Sequence, residues 1–583
     1  MQTEKHSTST EVISHGVSYA DALLAVQEQV GEWPKFTKKL KARKKQSGLR
    51  KLLGRNCLLW GLPSSDAIYC STIARLVQLK SSTKSADFDF AAAAEDWITK
   101  TEGDSITVPV AIEALAWASA LPNLPQRIEE EQWKRLLARL IYLTQPLQQK
   151  NVESRFVTFA LSAELSLMLA HACPELSICK KRIPDARQQF ERMMDAMLDG
   201  EGMPHASYLE CIQLMLASCT RTLTVDGLLK KGRIAKAARL QFDWLCRQTL
   251  RMARPNGSLM FRANEDSPHF DALMKSALAI TEDDSDIAAW KSLRSKRKST
   301  QGDELPAASE HSEWSEIATM RTNWSPSAAR MAVVFSEREL RTEFSVGDQI
   351  FFMGKCNPKV TVDGHELNVA SDWEEVCWES DEDMDYIELD AKLDNNWRIQ
   401  RQLLLARKDS FAFVADAIIG SATAEIRYQN PLPLLSGVTL DSSGENSEAM
   451  LLGEKPLGTV CPLSLSEWKT PGGKSRLRED PARLELHQRG RGLYAPLFID
   501  FDPNRRNKAL TWRSLTVAEN LQTVVSDVAV AYRVQIGKEQ WVIYRSLAKS
   551  ANRTFLGLNL TSEFLVARFQ SDGEIEPLVD VSV

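Results

Sequence analysis

The stretch RSKRKSTQGDELPAASEH, residues 294–311, separates two halves of the sequence that differ in period. It is charged, poor in apolar residues and broken by Pro306, the composition of a connector. Before it, apolar residues recur every three or four positions, as in YADALLAVQEQVGEW (19–33), VPVAIEALAWASAL (108–121) and FVTFALSAELSLMLAHA (156–172). That spacing puts them on one face of a helix. After it the period falls to two, in runs such as RMAVVFS (330–336), WRIQRQLLLAR (397–407), FAFVADAII (411–419) and QWVIYRSL (540–547). Helices joined by short loops stack as antiparallel hairpins, and consecutive strands with one apolar face need a second sheet to cover it. The sequence therefore predicts a disordered tail over 1–16, a helical domain over 17–298, a linker at 299–312 and an antiparallel β-sandwich over 313–583. No fixed-length repeat is visible in the helical half, which favours a curved or closed array over a regular solenoid.

Composition narrows the class. The chain has 583 residues, 43% hydrophobic and 26% charged, which is ordinary for a globular protein of two or three domains. A net charge of -5 is small for this length and gives no reason to expect a nucleic-acid partner. No apolar run is long enough to span a bilayer, and the polar start lacks the apolar core of a signal peptide. Ten cysteines are scattered with no CxxC pair, so they read as reduced, buried thiols in a cytoplasmic protein rather than as zinc ligands. The usual nucleotide, zinc-protease and serine-hydrolase motifs are missing, and no metal or cofactor is expected.

Two segments look chemical. In LDGEGMPHASYLE (198–210), Gly200 and Gly202 suit a turn and Pro204 suits a first helical position, so His205 and Tyr208 would share the face of a new helix near its positive end. The plainer reading is a helix start whose His and Tyr only pack. Further on, RMARPNGSLMFRA (251–263) carries a turn between basic residues.

Together with the order of the two halves, these segments resemble the heparinase II/III-like proteins, which join an incomplete α/α toroid to a large antiparallel β-sandwich. The first segment is similar to the family's Asp-Gly-Gly-His helix start, although Met203 and Pro204 intervene before His205. The second is similar to its Arg-His-x-Asp-Gly-x-Leu-x-x-Phe. The resemblance implies a polysaccharide lyase that cuts acidic, uronate-containing chains by β-elimination, or a catalytically degenerate glycan-binding or scaffold protein with the same fold. Elimination requires a group that neutralises the uronate carboxylate and a Tyr or His that moves the proton. The resemblance places His205 and Tyr208 nearest that chemistry.

Asn151 and Arg155, four apart in QQKNVESRF (148–156), and Arg262 are the candidate carboxylate binders; a solvated helix start is the plainer account of the first two. Family lyases also carry a histidine in an early strand. Here the corresponding stretch, SERELRTEFSVGD (336–348), has none, and Arg338 or Arg341 would make a poor base. His487, in ELHQRGRGLYAPL (485–497), is a better alternative than the turn residue His365. The expectation is a cleft that is present but chemically incomplete.

Two charge clusters remain. Residues 35–55 hold ten Lys or Arg and no acid, and read as a solvated helix packing through its leucines or as a surface for a polyanion, membrane or partner. Residues 372–390 hold ten acids and no Lys or Arg, and read as a solvated strand pair rather than a calcium loop.

Overall fold

The structure, a computed structural model, describes residues 18–42, 52–62, 67–79, 88–102, 105–145, 154–262, 268–295, 304–442, 444–470 and 472–582. Packing divides the chain into two compact units. The first comprises Met1–Gly202, Cys211–Cys246 and Glu265–Glu282; the second comprises Met203–Glu210, Arg247–Asn264 and Asp283–Val583. The sequence suggests a single cut near the linker, yet two earlier segments join the strand-rich unit. Hydrogen bonds explain this. Ser315 Oγ donates to the Met203 carbonyl at 3.0 Å and the Ala206 amide donates to the Ser315 carbonyl at 2.9 Å. Arg254 is paired with Glu343, both fully buried.

The first unit is helical. Val108–Ala120 has ten of its 13 residues buried because it is apolar nearly all round, and Ile212–Leu228 is similarly enclosed although it buries Gln213, Arg221 and Asp226. Glu130–Leu143 is amphipathic and turns Trp133, Leu136, Leu140 and Ile141 inward. One π-turn, Ala160–Glu164, interrupts the helix predicted over 156–172. Its extra residue rotates the helix face. Glu164 is fully buried there; it accepts from Arg221 Nη2 at 3.1 Å, while Arg221 Nη1 donates to the Cys57 carbonyl at 2.9 Å.

Glu113 gives this unit a pH dependence. Burial pushes its carboxyl up to about 7 against the opposing pull of Lys100, and Trp117 Nε1 donates to it at 3.3 Å. Between about 4.5 and about 7 the folded state keeps a proton that the unfolded chain has released. Deprotonation therefore favours unfolding, and stability falls as pH rises through that window. A Glu113→Gln variant is expected to flatten this part of the profile of midpoint against pH, read by thermal unfolding at a series of pH values; an unchanged slope would refute the assignment.

The second unit is built from antiparallel strands in three sheets and one smaller one. Residues 310–355 form a five-stranded meander, and an eleven-stranded sheet is centred on Phe411–Pro431 between Arg398–Ala406 and Arg483–Asp500. A further five strands span Leu510–Leu515 to Ile575–Val581. The large sheet has a core on each face. Leu403, Leu405, Ala412 and Val414 pack with Met331, Phe344 and Phe352 of the meander. Their neighbours Leu404, Ala406, Phe411 and Phe413 pack with Trp512, Trp541 and Phe564. Strands buried on both faces read as continuous apolar runs, which is why LLLA and FAFV show weak alternation.

The acidic stretch forms the expected strand pair, Glu374–Ser380 and Met384–Lys392, but the second strand is not solvated. Its carboxylates are buried against arginines: Arg407 on Asp385, Arg545 on Glu388 at 2.7 Å and Arg398 on Asp390 at 2.8 Å. Among the described residues no group of His, Cys, Asp or Glu could hold a metal ion. Of the basic stretch, Phe36 and Leu40 are buried, Leu52 is largely exposed, and residues 43–51 lie outside the described residues. The nine described cysteines are free thiols. No described helix is long and apolar enough to cross a membrane.

Candidate functional site

The loop Met203–Glu210 shows how local sequence fixes geometry. Gly202 has φ +78°, and a Cβ there would strike the Trp244 side chain and lie 2.9 Å from the Leu245 nitrogen. Only glycine fits. Pro204 does not start an α-helix: a short 3-10 turn, Ala206–Cys211, follows, and the α-helix begins at Ile212. The predicted shared helix face for His205 and Tyr208 is therefore absent. Anchoring of Met203 and Ala206 to Ser315 outweighs the proline's preference for an early helical position.

His205 is half-exposed. Its Nδ1 accepts from the Ser207 amide at 3.2 Å and lies 3.0 Å from Ser207 Oγ. Its Nε2 faces Glu316 Oε2 at 3.6 Å, and the ring meets exposed Trp314 edge-on at 5.5 Å. With the lone pair of Nδ1 taken by an amide, the proton of a neutral ring sits on Nε2, toward the carboxylate. Tyr208 is buried at 3% exposure, with its amide donating to the His205 carbonyl at 2.8 Å.

The other candidates belong to other segments of the chain. Asn151 falls outside the described residues, and Arg155 is exposed at the start of the helix Arg155–Phe159 in the first unit. Arg262 is half-buried beyond a tight turn in which Arg254 Nη1 donates to Ser258 Oγ at 2.8 Å and to the Leu259 carbonyl at 2.7 Å. Glu343, within the stretch where a strand histidine is expected, accepts from Arg254 and from the Phe261 amide at 2.6 Å. Both segments are thus held by a buried ion pair. Arg338 meets Asp372 at the surface, and Arg341 lies 5.9 Å from the Phe261 ring.

His487 has the most developed surroundings. It sits in Arg483–Asp500 directly opposite Arg427, with Nε2 2.7 Å from Glu425 Oε1. The hydrogen bond from His487, more than the nearby cations, holds the Glu425 carboxyl below its usual range. An ionised carboxylate on Nε2 orients the imidazole and leaves Nδ1 as its acceptor face. A pocket of about 330 Å³ opens beside it, lined by Arg427, Lys474, Arg476 and Glu485 among others. Glu425, Arg427, Lys474 and Arg476 are not among the residues expected from the sequence. The alternation of R-E-H-R at 483, 485, 487 and 489 marks one strand face around His487 but gives no sign of these four, which come from other segments.

No family model matches this chain, and no curated protein matches it. Solved structures do. A heparan sulfate lyase HepC mutant from Pedobacter heparinus aligns with a TM-score of 0.55 and 12% identity, over 91% of this chain and 94% of that one. A heparinase III gene product aligns with a TM-score of 0.52 and 12% identity, over 90% and 85%. Another heparinase III aligns with a TM-score of 0.52 and 9% identity, over 82% of each chain. At such identity the likeness speaks to architecture, and the architecture is clear: a helical N-terminal region followed by a large antiparallel, sheet-rich region, the heparinase-like polysaccharide lyase fold.

Proposed function

We propose that this protein acts on acidic, uronate-containing polysaccharide as a β-eliminating lyase. One observation carries the reading: the heparinase-like fold extends over about nine-tenths of the chain. The proton beside a uronate carboxylate is too weakly acidic to leave unaided. A cation or amide, with Arg155, Arg262 and Asn151 as candidates, would neutralise that carboxylate and stabilise the developing enolate. Tyr208, His205 or His487 would then move the proton from carbon to the leaving oxygen. No water, metal or redox partner enters this balance: one C–O bond breaks, one C=C bond forms, and the proton ends on the released hydroxyl.

A second reading, glycan binding without cleavage, is favoured by the state of the loop. His205 accepts from the Ser207 amide on Nδ1 and faces Glu316 with Nε2, and Tyr208 is buried, so neither stands ready as a base. Incubation with a panel of uronate polymers, followed by the ultraviolet absorbance of unsaturated uronate, separates the two. Appearance of that chromophore with at least one polymer is expected. Binding of a polymer with no chromophore from any of them overturns cleavage and leaves the binding protein.

A further inference from the structure

The outer face of the sheet around His487 has a charge excess that its own carboxylates do not neutralise. The far ends of Phe411–Pro431 and Arg483–Asp500 pair with each other beyond a bulge at Ile419/Ala424. Two short strands extend this ladder. Lys359–Val362 pairs with the first, placing Lys359 opposite Gln429, and Arg476–Arg478 pairs with the second, placing Arg476 opposite Glu485. Directly paired residues share a face of the sheet. Ile426, Tyr428, Leu484 and Leu486 turn into the core, so the odd-numbered residues of these two strands turn out, as do Arg476 and Arg478 opposite Glu485 and Arg483.

That outward row carries Lys359, Arg427, Arg476, Arg478, Arg483 and Arg489, and Lys474 adds to it from the adjoining loop. Among the described residues Glu366, Glu485 and Glu425 make ion pairs with this row, and Asp363 accepts from the Glu425 amide at 2.8 Å. Glu366 meets Lys359 at 2.5 Å. Glu485 is shared by Arg476 at 2.9 Å, Arg483 at 2.6 Å and Arg478 at 3.7 Å. Glu425 is engaged by His487, and Arg427 reaches it only at 3.7 Å. Arg427 and Lys474 are exposed cations at the mouth of the pocket that share the single charge of Glu425 with His487.

We propose that this pocket seats one anionic group, a sulfate or a carboxylate, of an acidic oligosaccharide lying along the row, with Arg427 and Lys474 as its donors. The proposal rests on the reading that the partner is an acidic glycan. A pocket of about 330 Å³ is at the lower end of small-ligand sites and suits a single substituted sugar ring. Guanidinium groups bind planar carboxylate and tetrahedral sulfate alike through charge-assisted hydrogen bonds. Single-stranded nucleic acid and membranes fit less well. The one Phe, Tyr or Trp side chain in the lining, Tyr428, is buried with its hydroxyl on Asp416, which leaves no ring for a base to stack on or to enter a lipid interface.

The test is calorimetric titration of the full-length protein with a sulfated heparan hexasaccharide and with an unsulfated oligogalacturonate. A DNA duplex and anionic phospholipid vesicles serve as alternative polyanions. Arg427→Ala/Lys474→Ala removes two exposed side chains and leaves the core untouched. Wild-type protein is expected to bind at least one oligosaccharide, and the double variant to bind it roughly 100-fold more weakly, at about ten-fold per lost charge-assisted contact. Loss toward the sulfated ligand alone identifies a sulfate site; loss toward both identifies a carboxylate site, and either supports the proposal. Equal binding by variant and wild type would remove the pocket from the interaction while leaving the acidic-glycan reading intact. Failure of the wild type to bind any acidic oligosaccharide would end that reading and this one together. Binding of DNA or vesicles as tight as that of the glycan, and lost in the same variant, would assign the pocket to phosphate polyanions instead.

Discussion

Tyr208→Phe is expected to lower the β-elimination rate by about two to four orders of magnitude, the range that a positioned acid–base group contributes, while leaving the fold almost unchanged. The substitution removes one hydroxyl from a side chain that is 3% exposed, and a single buried hydrogen bond contributes about 1 kcal/mol. Rate and stability should therefore separate widely. Their separation is what distinguishes a chemical role from a packing one, since a phenol that only fills space would cost the same in stability and nothing in rate. The paired variant His205→Ala adds a second arm. If His205 moves the proton, its loss should cost a comparable factor and remove the imidazole limb from the pH–rate profile. If it only holds Ser207 and faces Glu316, the rate should change little. Full activity in both variants would move the chemistry elsewhere, with His487→Ala the next to examine because Glu425 orients that imidazole at 2.7 Å.

The large-scale order of helices then strands was legible because it depends on period, and period is a property of one chain read locally. The exposure of the β-strands was less so. Asp385, Glu388 and Asp390 look like surface residues in a stretch with ten acids, yet each meets an arginine supplied from outside that stretch. Such pairing is decided by register across the sheets, to which the acidic stretch itself gives no clue. The same limit applies at the candidate sites. Pro204 and the glycines around it announce a turn, but the tie to Ser315, more than a hundred positions later, keeps the helix from starting there. His487 was visible as a histidine among arginines, whereas the cation pocket beside it needed Arg427 from a strand about sixty residues earlier. Glu425 was invisible for the same reason.

Loss of a single carboxylate at the centre of the large sheet should have the largest effect on the fold. Arg401 and Asp416 stand directly opposite each other on adjacent strands, both fully buried, with Arg401 Nη2 2.7 Å from Asp416 Oδ2. Burial disfavours the guanidinium charge, but the charge and hydrogen bonds of Asp416 outweigh it and hold the group above its ordinary value. Tyr428 donates its hydroxyl to the same carboxylate. Asp416→Ala would leave Arg401 with the Cys356 carbonyl at 3.2 Å as its nearest remaining acceptor, in a core lined by Leu403, Val414 and Ile426. An uncompensated buried charge of this kind costs about 3–5 kcal/mol, which for a unit of this size lowers the unfolding midpoint by roughly 4–7 °C. The cost comes from the stranded cation and not from the lost attraction, because removing two charges from water already cancels most of what the pair returns. A triple variant, Arg401→Met/Asp416→Leu/Tyr428→Phe, removes the buried charges and the hydroxyl together and should recover most of the lost stability. A triple variant no more stable than Asp416→Ala would mean that shape, rather than stranded charge, sets the cost at this position.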